Sequence, residues 1–176
     1  MPAPAAELVR FQGPFLPAGA RASPSAEKAF LDKRVLFWIG KSDNSNTVLY
    51  EAQLESSGSL RTVHPYWVLY ARSPVVEEEL TLIERNTAYG STCTPDASRP
   101  GRWTVVLAAL KERPIQVWAE PGAPGARHTL HALATIDGQP DELLSVFVKT
   151  TTSWGLPTAE YIDVVGRTRK ERIVKA

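Results

Sequence analysis

Thr47-Val48-Leu49-Tyr50-Glu51-Ala52-Gln53-Leu54 is the stretch on which the fold turns. Side chains alternate across a β-strand with a period of two. Val48, Tyr50, Ala52 and Leu54 therefore share one face, and Thr47, Leu49, Glu51 and Gln53 the other. Ser56-Ser57-Gly58-Ser59 follows as a turn signal. Residues 63–71, rich in aromatic and β-branched side chains, then read as another strand.

The pattern continues on both sides. Upstream, residues 35–39 form a compact apolar run. Before them, Ser23-Pro24 and an early Glu27 supply an N-cap residue, a first-turn proline and an acid, which predicts a helix over about 24–33. Downstream, Ser73-Pro74 repeats that start signal and predicts a second helix over about 74–89. Glu77, Glu78 and Glu79 would lie in its early turns as a solvated face, Leu80, Ile83 and Thr87 on its inner face, and Gly90 just past its end. From Arg102 onward, strands are expected over 103–110, 115–119, 128–136, 143–149 and 159–165, with a short last one over 172–174. Turns such as Pro121-Gly122-Ala123-Pro124-Gly125 and Asp137-Gly138-Gln139-Pro140 separate them. The expected fold is mainly β: a single antiparallel sandwich or barrel of eight or nine strands with two short helices.

Residues 1–22 read as an extended arm ahead of one domain over 23–176. Pro2, Pro4, Pro14 and Pro17 lie within it, with Gly13 and Gly19 between them and Pro24 just beyond. Proline fixes φ and removes donors, so regular structure is not expected there. The arm also carries Leu8, Val9, Phe11, Phe15 and Leu16, too apolar for a plain spacer. These five either fold back onto their own domain or dock on another protein.

Composition narrows the function classes. A formal net charge of +1 over 176 residues supplies no global field for nucleic acid or an anionic membrane. No apolar run approaches the roughly 20 residues of a membrane span. Met1 to Ala22 lacks a basic region followed by a continuous apolar one, so no secretory signal is expected. Organelle import stays open on Ala/Pro/Arg character, although Glu7 and the prolines spoil an amphipathic helix. The single cysteine, Cys93, sits in a stretch that reads as a loop and suits a reducing, cytoplasmic compartment.

Two stretches are more specific than a generic β-domain requires. One is Phe37-Trp38-Ile39-Gly40-Lys41-Ser42-Asp43-Asn44-Ser45-Asn46-Thr47-Val48-Leu49-Tyr50. The other is Trp67-Val68-Leu69-Tyr70-Ala71 followed by Glu79-Leu80-Thr81-Leu82-Ile83-Glu84-Arg85-Asn86-Thr87-Ala88-Tyr89-Gly90. Together they resemble the domain-of-unknown-function family 4833, and the likeness runs on through Lys111-Glu112-Arg113-Pro114-Ile115-Gln116-Val117 and residues 157–166. It covers about Val35 to Val174 and leaves out the arm. The resemblance implies a compact β-rich domain and no particular activity. Gly40-Lys41 departs from the pattern, which has a polar or basic residue followed by arginine. Lysine keeps the charge and loses the bidentate geometry.

Ser42, Asp43, Asn44 and Asn46 fit a turn whose side chains bond their own backbone, and they also fit a polar rim for a ligand or partner. Glu84 and Arg85 could bridge to that turn. Adjacent helical residues point about 100° apart, so only one of the two can face the sheet. His128 and His131, three apart in an expected strand, face opposite sides and cannot chelate one metal. Motifs for zinc, phosphate or a serine nucleophile are missing, so no cofactor or metal is expected. The basic end, with Arg167, Arg169, Lys170 and Arg172, would suit an acidic protein surface or simply guard a sheet edge.

These observations lead to an expectation of a non-enzymatic accessory subunit, docked into a larger protein assembly through the arm, for which cytoskeletal or ciliary assemblies would be suitable. A barrel binding an apolar small molecule among its tryptophans and tyrosines is the first alternative. An enzyme drawing Glu84, His64 and Cys93 into one cleft is the second.

Overall fold

The computed structural model describes residues 16–175. Leu8, Val9, Phe11 and Phe15 lie outside them. The chain enters through α1 (Ala18–Arg21) and α2 (Pro24–Leu31), the latter capped by the Ser23 hydroxyl. The strands β1 (Val35–Lys41), β2 (Thr47–Leu54), β3 (Leu60–Leu69) and β4 (Val76–Glu79) follow, then α3 (Leu82–Thr87). Next come β5 (Ser91–Pro95), β6 (Arg102–Leu107), a 3-10 turn (Ala108–Leu110), β7 (Ile115–Glu120) and β8 (Thr129–Ile136). The chain closes with β9 (Gln139–Ser153), β10 (Leu156–Gly166) and β11 (Lys170–Val174).

All eleven strands belong to one mixed sheet, ordered β4-β3-β2-β1-β9-β8-β7-β6-β5, with β10 and β11 branching from β9. The expectation of a purely antiparallel sheet is corrected by the β1–β9 ladder, which runs parallel from Trp38↔Ser145 to Lys41↔Val148. The branch follows from the length of β9. Residues 139–142 pair with β8, residues 145–148 pair with β1, and residues 143–153 pair with β10 on the opposite flank. The sheet does not close, because β4 and β5 end the path and share no ladder.

Two apolar clusters hold the fold. The larger joins both ends of the sheet, with Phe37, Val48, Tyr50 and Trp67 on one side and Val105, Leu107, Val117 and Ile136 on the other. The smaller lies on the opposite face of β2 and β3, where Leu49, Tyr66 and Val68 meet Leu16, Ala20 and Phe30. This explains why Leu49, assigned by alternation to the polar face of β2, is fully buried: α1 and α2 cover that face. Residues 16–22, read as part of the extended arm, are therefore folded onto the domain. Gly19 is needed there, since an added Cβ would lie 2.4 Å from Tyr70 Cβ.

The second helix differs from its expected span. Residues 76–79 form strand β4 on the open edge of β3, from Tyr66↔Glu79 to Leu69↔Val76. Each acid there meets a cation, Glu77 with Lys33, Glu78 with Arg72 and Glu79 with Arg85, and Glu79 also shares a hydrogen bond with His64. The helix begins later, at the Thr81 cap, and none of its residues is buried. Leu80 is buried just before it, while Ile83 is 74% exposed, so the predicted inner face of Leu80, Ile83 and Thr87 does not exist. Residues 91–95, Cys93 among them, are a strand rather than a loop.

Candidate functional site

The separated halves of the motif pattern come together at the β1–β2 turn. Ser42 reaches across to β9: its N–H donates to Val148 O at 3.1 Å, and its hydroxyl accepts the Thr150 N–H at 3.0 Å. Thr150 in turn donates its hydroxyl to Asp43. Asn44 accepts the Asn46 N–H at 2.9 Å, closing the turn, and Asn46 accepts the Ala71 N–H at 3.0 Å, tying it to the chain beyond β3. These side chains thus bond backbone two residues away as well as neighbouring elements.

Glu84 and Arg85 diverge as helical geometry requires. Glu84 faces the sheet, accepting the Trp67 indole N–H at 3.1 Å while closing a capping box with Thr81. Burial raises the Glu84 pKa, but the Thr81 N–H and hydroxyl, the Trp67 indole and the Lys41 charge outweigh it and leave it below the ordinary value. Lys41 lies 5.4 Å above the Trp67 ring and 3.8 Å from Asp43. Arg85 points away, to Glu79 at 3.1 Å and the Leu80 carbonyl at 3.0 Å. Neither residue ion-pairs with the turn.

Beneath this polar group the helix leads into Tyr89, whose ring meets Trp67 edge-on at 4.9 Å and whose carbonyl accepts the Tyr50 hydroxyl at 2.7 Å. An apolar cleft of about 370 Å³ opens beside it, lined by Ile39, Tyr89, Leu110, Val148, Ala159 and Ile162 among others, with Lys175 at its rim. Of the motif stretches, residues 37–50, 79–90 and 157–166 contribute to that wall through Ile39, Tyr89 and Ile162, and the Lys41–Asn46 turn stands next to it through Ser42 and Val148. A larger cleft of about 680 Å³ lies where β3 and β5 face one another without a ladder. His64 and Arg85 line it, and Glu79 already holds both.

The remaining predicted residues are dispersed. Leu16 is buried against its own domain. Lys170 and Arg172 both turn inward to Asp163, Arg172 in bidentate contact at 2.7 and 3.0 Å, and Arg172 also covers the Tyr161 ring. Arg167 and Arg169 have exposed side chains, and their backbone N–H groups donate to Glu142 O and Asp141. His64, Glu84 and Cys93 share no partner: His64 bonds Glu79, Glu84 bonds Trp67 and Thr81, and Cys93 packs against Thr62 and Val63. Burial pushes the Cys93 thiol pKa up, away from the thiolate a nucleophile needs. His131 bonds Glu142 at 2.7 Å and stacks on Trp118. Among the described residues, no cluster of His, Cys, Asp or Glu is arranged to hold a metal ion, and no helix is long and apolar enough to cross a membrane.

Sequence reasoning passed over two buried carboxylates. Asp141 accepts the N–H groups of Glu142, Thr168 and Arg169, which fixes the β10–β11 turn; a Cβ on Gly166 would lie 2.3 Å from its Oδ2. Asp163 receives Lys170 and Arg172, and the Arg172 guanidinium holds its pKa down at about 2. The alternation of residues 159–165 could have flagged Asp163, since it shares a strand face with Tyr161 and Val165. Its pKa lies below the ordinary 3.8, so the stability it contributes is present above about pH 4 and is lost as pH falls toward 2. Asp163→Asn should cost roughly 1–3 kcal/mol at neutral pH, and the gap in Tm between wild type and variant should shrink toward pH 2. A gap that stays constant with pH would contradict this assignment.

No curated protein and no solved structure matches the chain. The model of the Domain of unknown function (DUF4833) matches residues 37–175, beginning at the Phe37 strand and running through the motif cluster, the cleft and β11. The chain therefore belongs to the DUF4833 family.

Proposed function

We propose that this chain is a non-enzymatic interaction module, an accessory subunit that docks on another protein in a reducing compartment. The observation that carries this reading is Trp154, which stands fully exposed at the apex of the β9–β10 hairpin with Leu156, 69% exposed, beside it. A large aromatic left in water is costly to maintain and is the commonest anchor of protein interfaces. The titratable motif residues support the same reading, because Glu84, Asp43 and Lys41 are engaged with one another's neighbours rather than aimed at an open site. The sheet is read as a sandwich whose two halves meet over one core, with β9 passing through both.

Docking through the arm narrows to residues 1–15, since residues 16–22 belong to the folded domain. The test is co-purification of the tagged chain from its native cells. A stoichiometric protein partner is expected with wild type, and it should be lost on Trp154→Ser or on deletion of residues 1–15, with the thermal transition unchanged. A chain that purifies without a partner, or whose partner survives both changes, overturns the reading.

A second reading rests on the 370 Å³ cleft: a small apolar ligand held against Ile39, Leu110 and Ile162. Native mass spectrometry with a medium-chain fatty acid should then show one bound molecule, abolished by Ala159→Glu.

A further inference from the structure

The apolar cleft beside Tyr89 owes part of its wall to an irregularity in β10. Side chains alternate along a strand, so Glu160 would be expected on the face of Ile162, one of the wall residues. The β9–β10 register shifts between Ala159 and Tyr161, which leaves Glu160 as the bulged residue with no partner on β9. Ala159 takes the place on the cleft wall instead. A bulge re-aims side chains in this way, and here it exchanges an acid for a methyl group. The charge of Glu160 is felt by Arg172, which lies on the opposite face of β11 from Ile173.

The strand β11 then brings the opposite charge. Ile173 sits across from Ile162 in the β10–β11 ladder, and Lys175, two residues on, shares its face. The Lys175 N–H donates to Glu160 O at 3.0 Å, which carries the pairing one step past Val174. Lys175 is thereby the one charged residue on the wall, beside Ile39, Leu110, Val146, Val148 and Ile162. Its ammonium forms no ion pair among the described residues. Asp43 and Glu84, the acids near enough to act on the Tyr89 phenol, share Lys41.

A lysine can lay its stem along an apolar surface while its head stays in water. An apolar wall ending in one unmatched cation therefore describes both ends of a ligand. The volume of about 370 Å³ stands at the low end of the roughly 300–1,000 Å³ of ligand pockets. That suits one hydrocarbon chain and leaves no room for a two-chain lipid.

Resting on the second reading above, we propose that the cleft takes a single-chain amphiphile with an anionic head, a medium-chain fatty acid, whose carboxylate meets Lys175. The chain lies against Ile39 and Ile162 and supplies most of the affinity by leaving water. The head stays at the rim, where water still reaches it, so little desolvation opposes the ion pair. Lys175 accordingly decides which head is accepted.

Calorimetric titration of the full chain with decanoate and with 1-decanol, at neutral pH and low salt, tests this. Both should bind wild type. Lys175→Met keeps an apolar stem and removes the charge; it should weaken decanoate about tenfold, the worth of one charge-assisted hydrogen bond, and leave decanol unchanged. Lys175→Arg should restore decanoate. Thermal stability should not change, since the Lys175 side chain is exposed. Two ligands that bind equally well to wild type and to Lys175→Met, or that lose affinity together, overturn the role of Lys175 and leave the apolar-ligand reading standing. Decanol binding without decanoate does the same. A wild type that binds neither overturns both.

Discussion

Gly90→Ala is expected to destabilise the domain by about 3 kcal/mol or more, at or beyond the upper end of the roughly 1–3 kcal/mol typical of overpacking. A Cβ added at Gly90 would lie 1.5 Å from the Arg85 carbonyl oxygen and 2.4 Å from its carbon. Both are backbone atoms, so no side-chain rotation relieves the clash. Gly90 does not occupy the left-handed region, and the demand for glycine is purely one of close approach. Its N–H and those of Ala88 and Tyr89 all donate to the Glu84 carbonyl, so a shift here disturbs the whole end of α3. Because Ala88 and Tyr89 also line the apolar cleft, the substitution should deform that cleft as well as lower Tm by about 6–12 °C. Urea unfolding measures the loss, and a variant with wild-type stability would show that the turn can re-form with a side chain present.

Tyr50→Ala should cost about 3–5 kcal/mol, the range for emptying a large aromatic site. Tyr50 is fully buried, stacks on Phe37 with ring centroids 4.5 Å apart, and donates its hydroxyl to Tyr89 O. Burial drives its phenol pKa far up, so it remains a donor throughout the ordinary pH range. Tyr50→Phe separates the two contributions. It keeps the ring and leaves the Tyr89 carbonyl without that donor, for a loss of roughly 1–2 kcal/mol. A Tyr50→Phe variant as damaged as Tyr50→Ala would mean that the hydroxyl, not the packing, holds the α3 end onto the sheet.

The places where the sequence misled are instructive about which force prevailed. Ser73-Pro74 and three glutamates satisfied every local rule for a helix start, yet β3 presents an open edge from Tyr66 to Leu69, and residues 76–79 complete it. The S/T-x-x-E pattern Thr81-Leu82-Ile83-Glu84, which the sequence reading passed over, closes a capping box and marks the true start of α3. The open edge of β3 claimed residues 76–79 and so moved the helix start from Ser73 to Thr81. Cys93 looked like a loop residue because Ser91-Thr92-Cys93-Thr94-Pro95 lacks apolar alternation. Its partner β6 pairs with it from Ser91↔Leu107 to Pro95↔Trp103 nonetheless. The basic C-terminal residues looked available as a group, whereas Asp163, nine residues from Arg172 in the chain, claims two of them.

Local chemistry settled a good deal by itself. The alternation of residues 47–54, the cap at Ser23, the Gly- and Pro-marked turns and the family pattern from Phe37 onward all depend on neighbours within a few residues. Side-chain period and backbone capping are short-range effects, and they can be read along a line. The parallel seating of β1 on β9, the branching of the sheet, the second cluster over Leu49 and the cleft beneath Tyr89 pair residues tens to more than a hundred positions apart. Such contacts arise only when apolar faces compete for burial in three dimensions, which no linear pattern encodes. Trp154 belongs to this second group: along the sequence it is one tryptophan of five, and only its place at the end of an unaccompanied hairpin distinguishes it from the four nearer the body of the sheet.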